Sequence, residues 1–111
     1  IDILHIDGAH DYDSIKYDFN SWKSKVSNPG FVLIHDTLVK ERGFGVHKLW
    51  DEIRECYHSF EFKFSCGLGV LLLGNLESLP AEIVQYFIPH KFSDIHDYYN
   101  TQANRILSLS K

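Results

Sequence analysis

The sequence predicts an α/β fold: a parallel βαβ unit followed by an antiparallel hairpin, with helices on the faces of the sheet. Within residues 1–34 the apolar pattern runs from a strand-like stretch to a helical period and back to a short apolar run. Further on, two strand-like runs flank Gly67-Leu68-Gly69, a link too short for a crossover, so they pair antiparallel. With 44 % hydrophobic and 23 % charged residues, the chain can build a core, which excludes a disordered polypeptide.

Ile1, Ile3, Leu4 and Ile6 predict a buried first strand over residues 1–7, ended by Asp7-Gly8. Asp11-Tyr12-Asp13-Ser14 is a helix N-cap cluster. Tyr12, Ile15, Phe19, Trp22 and Val26 then lie three and four apart, one apolar face of a helix over residues 12–27. Ser27-Asn28-Pro29-Gly30 ends it, and the Pro-Gly pair predicts a type II turn. Phe31 to Ile34 is wholly apolar and reads as a central strand covered on both faces, parallel to the first.

Residues 38–45 form a loop of mixed charge. Val46, Leu49, Trp50, Ile53 and Tyr57 mark a second amphipathic helix. Phe60, Phe62 and Phe64 alternate with Glu61 and Lys63 as a half-exposed strand, and Val70 to Leu73 is its partner. Residues 80–87 predict a short helix broken by Pro89, and residues 93–109 a terminal helix. The expectation is one α/β domain over residues 1–111, with 75–111 as a helical C-terminal extension.

Eleven basic against fifteen acidic residues give a formal charge of −4, the wrong sign for a nucleic-acid partner. No apolar run reaches the roughly eighteen residues of a spanning helix, so no membrane partner is expected. Cys56 and Cys66 form no metal-binding pair; they read as reduced thiols in a cytoplasmic protein, with Cys56 a buried small hydrophobe. The chain contains no Met and opens inside an apolar run, from which a piece of a longer polypeptide is expected.

Asp7 and Asp36 each end an apolar strand. In parallel neighbours both carboxylates emerge at the carboxyl end of the sheet, where open α/β sheets bind ligands. Two nearby carboxylates favour a hard cation such as Mg²⁺ between them. Each also reads as a strand terminator that caps the next segment. His10, three residues past Asp7, faces the same edge and could accept a proton from a hydroxyl; the alternative is a surface loop histidine. His5 reads as packed within its strand, and His47, His58, His90 and His96 lack a partner at a telling spacing. A His35-Asp36 metal doublet is disfavoured, because the all-helical phosphohydrolases named for such a pair carry it on helices. Gly43-Phe44-Gly45 lacks the preceding strand and third glycine of a phosphate-binding turn.

The segment Asp2-Ile3-Leu4-His5-Ile6-Asp7-Gly8-Ala9-His10-Asp11-Tyr12 resembles the hIDGxHxY segment of class I S-adenosylmethionine-dependent methyltransferases. Gly30-Phe31-Val32-Leu33-Ile34-His35-Asp36-Thr37 is similar to the GGxxxxHD strand that follows it, and Gly43-Phe44-Gly45-Val46 through Trp50 and Gly67-Leu68-Gly69-Val70 to later elements. The subgroup it resembles includes macrocin O-methyltransferases and methyltransferase domains beside glycosyltransferases. The likeness covers residues 1–74.

The resemblance implies the second half of a Rossmann-like sheet of seven strands, the last antiparallel. It implies Asp7 and Asp36 as Mg²⁺ ligands, and His10 as general base on a sugar or small-molecule hydroxyl that receives a methyl group. The family's S-adenosylmethionine site lies on earlier strands and a glycine-rich turn that this sequence lacks, so no cofactor-binding residue is assigned. The chain alone is expected to be inactive. A rival expectation is a degenerate methyltransferase-like module that assembles, as a homo-oligomer, through its exposed sheet edge. A carboxylate-metal hydrolase has the right ligand type but lacks further acidic residues near the edge.

Overall fold

The computed structural model describes residues 2–6 and 10–109. Four strands, β1 (Ile3–Ile6), β2 (Gly30–His35), β3 (His58–Phe62) and β4 (Leu68–Leu73), form one sheet in the order β1-β2-β4-β3. β1 and β2 run parallel, with Ile3 opposite Phe31 and Ile6 opposite Ile34. β4 lies between β2 and β3, antiparallel to both. The βαβ unit and the hairpin are thus as expected, and the arrangement is a partial Rossmann-like sheet. Among the described residues β1 is paired on one side only.

Strand alternation sorts the side chains onto two faces. Val32, Ile34 and Leu71 turn to one face, where Ile15 and Phe19 of helix α1 (Tyr12–Trp22) and Val46, Leu49, Trp50 and Ile53 of helix α2 (Val46–Ile53) bury them. Gly69 shares that face, and the indole of Trp50 lies directly over it. On the other face Phe31 and Phe60 meet Phe87, and Phe60 and Phe62 meet Phe92. Phe92 belongs to helix α4 (Pro89–Leu109), which follows the short helix α3 (Ala81–Val84) and a 3₁₀ turn over Gln85–Phe87. β2 is therefore central, but only its first face is closed: Val32 and Ile34 are inaccessible, while Phe31, Leu33 and His35 stay half-buried.

Several local expectations are corrected. α1 stops at Trp22, and Lys23–Lys25 tighten into a 3₁₀ turn. Trp22 is exposed, and the Lys25 ammonium sits 4.7 Å from its ring centroid. Gly30 does not take the positive φ of a type II turn; it opens β2 and pairs with Leu73, after a cis Asn28-Pro29 bond. Pro89 starts α4 instead of breaking a helix, since a first-turn residue has no intrahelical N–H bond to lose. The first strand is only partly buried: Ile6 faces the core while Ile3 and His5 are exposed. Among the described residues no helix is long and apolar enough to cross a membrane.

Candidate functional site at the carboxyl edge of the sheet

Asp36 follows β2 immediately and sits in the left-handed region, with φ at 66°. A short polar side chain tolerates that region better than most. The kink is held from both sides: the Asp36 N–H donates to the Gly67 carbonyl at 3.0 Å, and the Asp36 carbonyl accepts from Val39 N–H at 3.2 Å. Two further bonds steady the neighbourhood, from Leu38 N–H to the Cys66 carbonyl and from Gly67 N–H to the Phe64 carbonyl. The hairpin turn between β3 and β4 thereby anchors the residue that ends β2.

His10 sits just before α1. Asp11 caps that helix, its carboxylate accepting from Ser14 N–H at 3.0 Å. Hydrogen bonds from Ser14 hold the Asp11 carboxyl below its ordinary value. The His10 carbonyl accepts from Gly45 N–H at 2.6 Å, and its ring stacks on Phe44 at 4.3 Å between centroids. The loop at 38–45 thus fixes the histidine by both backbone and side chain.

The two groups meet. His10 Nε2 lies 3.1 Å from Asp36 Oδ2. The imidazole is 43 % exposed and the carboxylate 13 %, so a solute can reach the histidine while the aspartate stays behind it. When Nε2–H donates to Asp36, the lone pair resides on Nδ1, which is then the basic nitrogen. The other carboxylate oxygen lies 2.9 Å from His35 Nδ1, and the His35 ring stands edge-on to His5. Thr37 completes the turn with its hydroxyl buried and without a partner among the described residues.

Asp7, the other carboxylate expected here, lies outside the described residues, as does Gly8. Among the described residues no group of three or more His, Cys, Asp or Glu side chains could hold a metal ion. Asp36 is a single carboxylate with an imidazole nitrogen against each oxygen. Mg²⁺ takes oxygen ligands in near-octahedral order, and the described residues do not supply such a set.

Other expectations resolve as structure. His5 is exposed, not packed. His96 gains a partner from far along the chain, accepting the Lys63 N–H at 2.7 Å. Cys56 and Cys66 are both free and both exposed, which corrects the buried reading of Cys56. One feature had no counterpart in the sequence reading, the stacking of Phe44 on His10, for which the flanking glycines were the only signal. His35 and Asp36, weighed above only as a metal doublet, approach each other at 2.9 Å.

Residues 1–37 match the family described as a methyltransferase domain. The chain is 45 % identical over 75 residues to the uncharacterized protein y4gI of Sinorhizobium fredii (strain NBRC 101917 / NGR234), an alignment covering 68 % of this chain and 8 % of that protein. This chain therefore spans less than a tenth of the curated relative it matches. No solved structure matches it. The family match covers β1, α1 and β2 together with His10 and Asp36, and it supports a methyltransferase-like function for the segment that carries the site.

Proposed function

We propose that the chain is the C-terminal half of an S-adenosylmethionine-dependent O-methyltransferase of the macrocin O-methyltransferase-like kind, acting on a sugar or other small-molecule hydroxyl. The juxtaposition of His10 and Asp36 across 26 residues carries this reading. A sulfonium donor supplies an electrophilic methyl group; what the chain itself contributes is the handling of the acceptor. Asp36 orients the His10 ring through Nε2, and Nδ1 takes the hydroxyl proton. A bound sulfonium donor would supply the methyl group and keep the electron pair of the broken carbon–sulfur bond, and His10 would pass the hydroxyl proton on to water.

The donor site is assigned to no residue here, because no turn of the sequence has the three-glycine pattern that follows a strand. On this reading the chain alone is inactive, and the protein is cytoplasmic, in keeping with its two free thiols. Calorimetry with S-adenosylhomocysteine tests the inactivity: no tight binding is expected of the 111-residue chain, and a micromolar complex would overturn it. The transfer reading is tested in the complete protein by following a labelled methyl group from S-adenosylmethionine to hydroxyl acceptors.

A second reading has one observation in its favour. The outer edge of β1 is unpaired among the described residues, and Ile3 on it is 60 % exposed. A module that assembles through this edge, without catalysis, would sediment as a dimer, and Ile3→Lys would return it to a monomer.

A further inference from the structure

Behind the His10–Asp36 pair the second face of the sheet holds a cavity of about 400 Å³. Its walls are His35 at the end of β2, Phe62 and Phe64 at the end of β3, Cys66 in the hairpin turn, Tyr86 beside α3 and Tyr99 on α4. His35 is the wall that links it to the site, since its Nδ1 contacts the same carboxylate that His10 contacts. Asp36 and His35 therefore both stand between the proposed base and the cavity.

The lining is carbon-rich and carries ring faces on several sides. Phe62 stands at 5.7 Å from Phe64 and 6.0 Å from Tyr99 between centroids. Its polar side chains are His35, Ser65, Tyr86 and Tyr99. The neighbouring Tyr99 hydroxyl pushes the Tyr86 phenol above its ordinary value. Among the described residues no Lys, Arg, Asp or Glu lines the cavity. A sugar ring buried here would leave most of its hydroxyls without partners, which is costly. A flat, uncharged ring matches the walls.

We propose that this cavity is a binding site for a small, uncharged aromatic molecule, a phenol such as p-cresol, held by its ring. The proposal goes beyond the transferase reading, and ring binding stands on the cavity alone.

Nuclear magnetic resonance titration of the 111-residue chain with p-cresol, and separately with methyl β-glucoside, tests it. Saturable shifts confined to the cavity residues are expected with p-cresol and none with the glucoside. Tyr99→Ala should weaken p-cresol binding roughly three- to tenfold. Tyr17→Ala, the same truncation at an exposed residue outside the cavity, should leave it unchanged. A second measurement needs no variant. Bound p-cresol should slow iodoacetamide alkylation of Cys66, which lines the cavity, and leave Cys56 unaffected. Equal binding of the glucoside, equal effects of the two tyrosine changes, or unprotected Cys66 would each overturn the proposal.

Discussion

His10 Nε2 and Asp36 Oδ2 stand 3.1 Å apart, although the first precedes α1 and the second follows β2. The parallel register of β1 and β2 brings them together: Ile6 lies opposite Ile34, so the segments after both strands leave the sheet at one edge. Neither residue owes its place to the other. Phe44 and the Gly45 N–H hold His10, while the bond from the Asp36 N–H to the Gly67 carbonyl holds Asp36. A pair held from outside is preorganised, which is what a base and its orienting carboxylate require.

The first prediction follows from that division of roles. In the complete protein, His10→Ala should lower the methyl-transfer rate by roughly 10²- to 10⁴-fold, the usual loss when a general base is removed. Asp36→Asn should cost less, about ten- to a hundredfold, because an amide still accepts from Nε2–H but no longer balances a protonated ring. Initial rates with a labelled methyl donor decide it. Unchanged turnover in His10→Ala would remove the histidine from the mechanism.

Phe44 gives a second prediction, for a positioning residue. Its ring lies 4.3 Å from the His10 ring at an interplanar angle of 26°. Phe44→Ala releases the imidazole from one wall and should lower kcat about three- to tenfold with KM unchanged, while Phe44→Tyr should restore the rate. An equal fall from both changes, or a change in KM alone, would assign Phe44 a role in folding or substrate binding instead.

Where the sequence was legible, one-dimensional periodicity was enough. Ile15 and Phe19, or Val46, Leu49, Trp50 and Ile53, are buried because a helix repeats its face every three or four residues, and those spacings are printed in the chain. The placement of Asp36 and His10 at one edge of the sheet was legible for the same reason, since two apolar runs joined by one helix leave little choice but a parallel pair; their direct contact was not. What was not legible depends on contacts between distant segments. Trp22 fits the helical spacing but stays exposed, with the Lys25 ammonium over its ring. The bond from Lys63 N–H to His96 needs α4 folded back onto β3. The insertion of β4 between β2 and β3 is likewise a choice among sheet orders that a hairpin alone does not make.

Two glycines give opposite expectations for one substitution. A Cβ on Gly69 would meet the Trp50 ring at 2.5 Å, inside a core where neither β4 nor α2 can yield easily. Gly69→Ala should destabilise by about 1–3 kcal/mol through overpacking. Gly43 has φ at +89° but open space around it, so Gly43→Ala meets only the backbone cost of a left-handed residue, about 1–2 kcal/mol. The Trp50 fluorescence on urea titration separates them, since only Gly69→Ala should shift the native emission as well as the midpoint.

The last prediction concerns acid. Ser14 donates to the Asp11 carboxylate and holds its pKa below the ordinary 3.8. A carboxyl whose folded pKa is depressed contributes stability that is fully present above its unfolded value and is lost as the pH falls through the folded one. Asp11→Ala should therefore lower the melting temperature at neutral pH, with the deficit shrinking as the pH drops below about 3.8. Asp11→Asn keeps a neutral acceptor at the cap, so its melting temperature, relative to the parent, should improve over the same fall in pH. Thermal melts between pH 7 and pH 3, followed by circular dichroism, give both curves. A deficit in Asp11→Ala that stays constant across that range would mean that the cap acts through its backbone geometry and not through its charge. Because Asp11 directly follows His10, that outcome would also separate the setting of the α1 start from the placement of the imidazole.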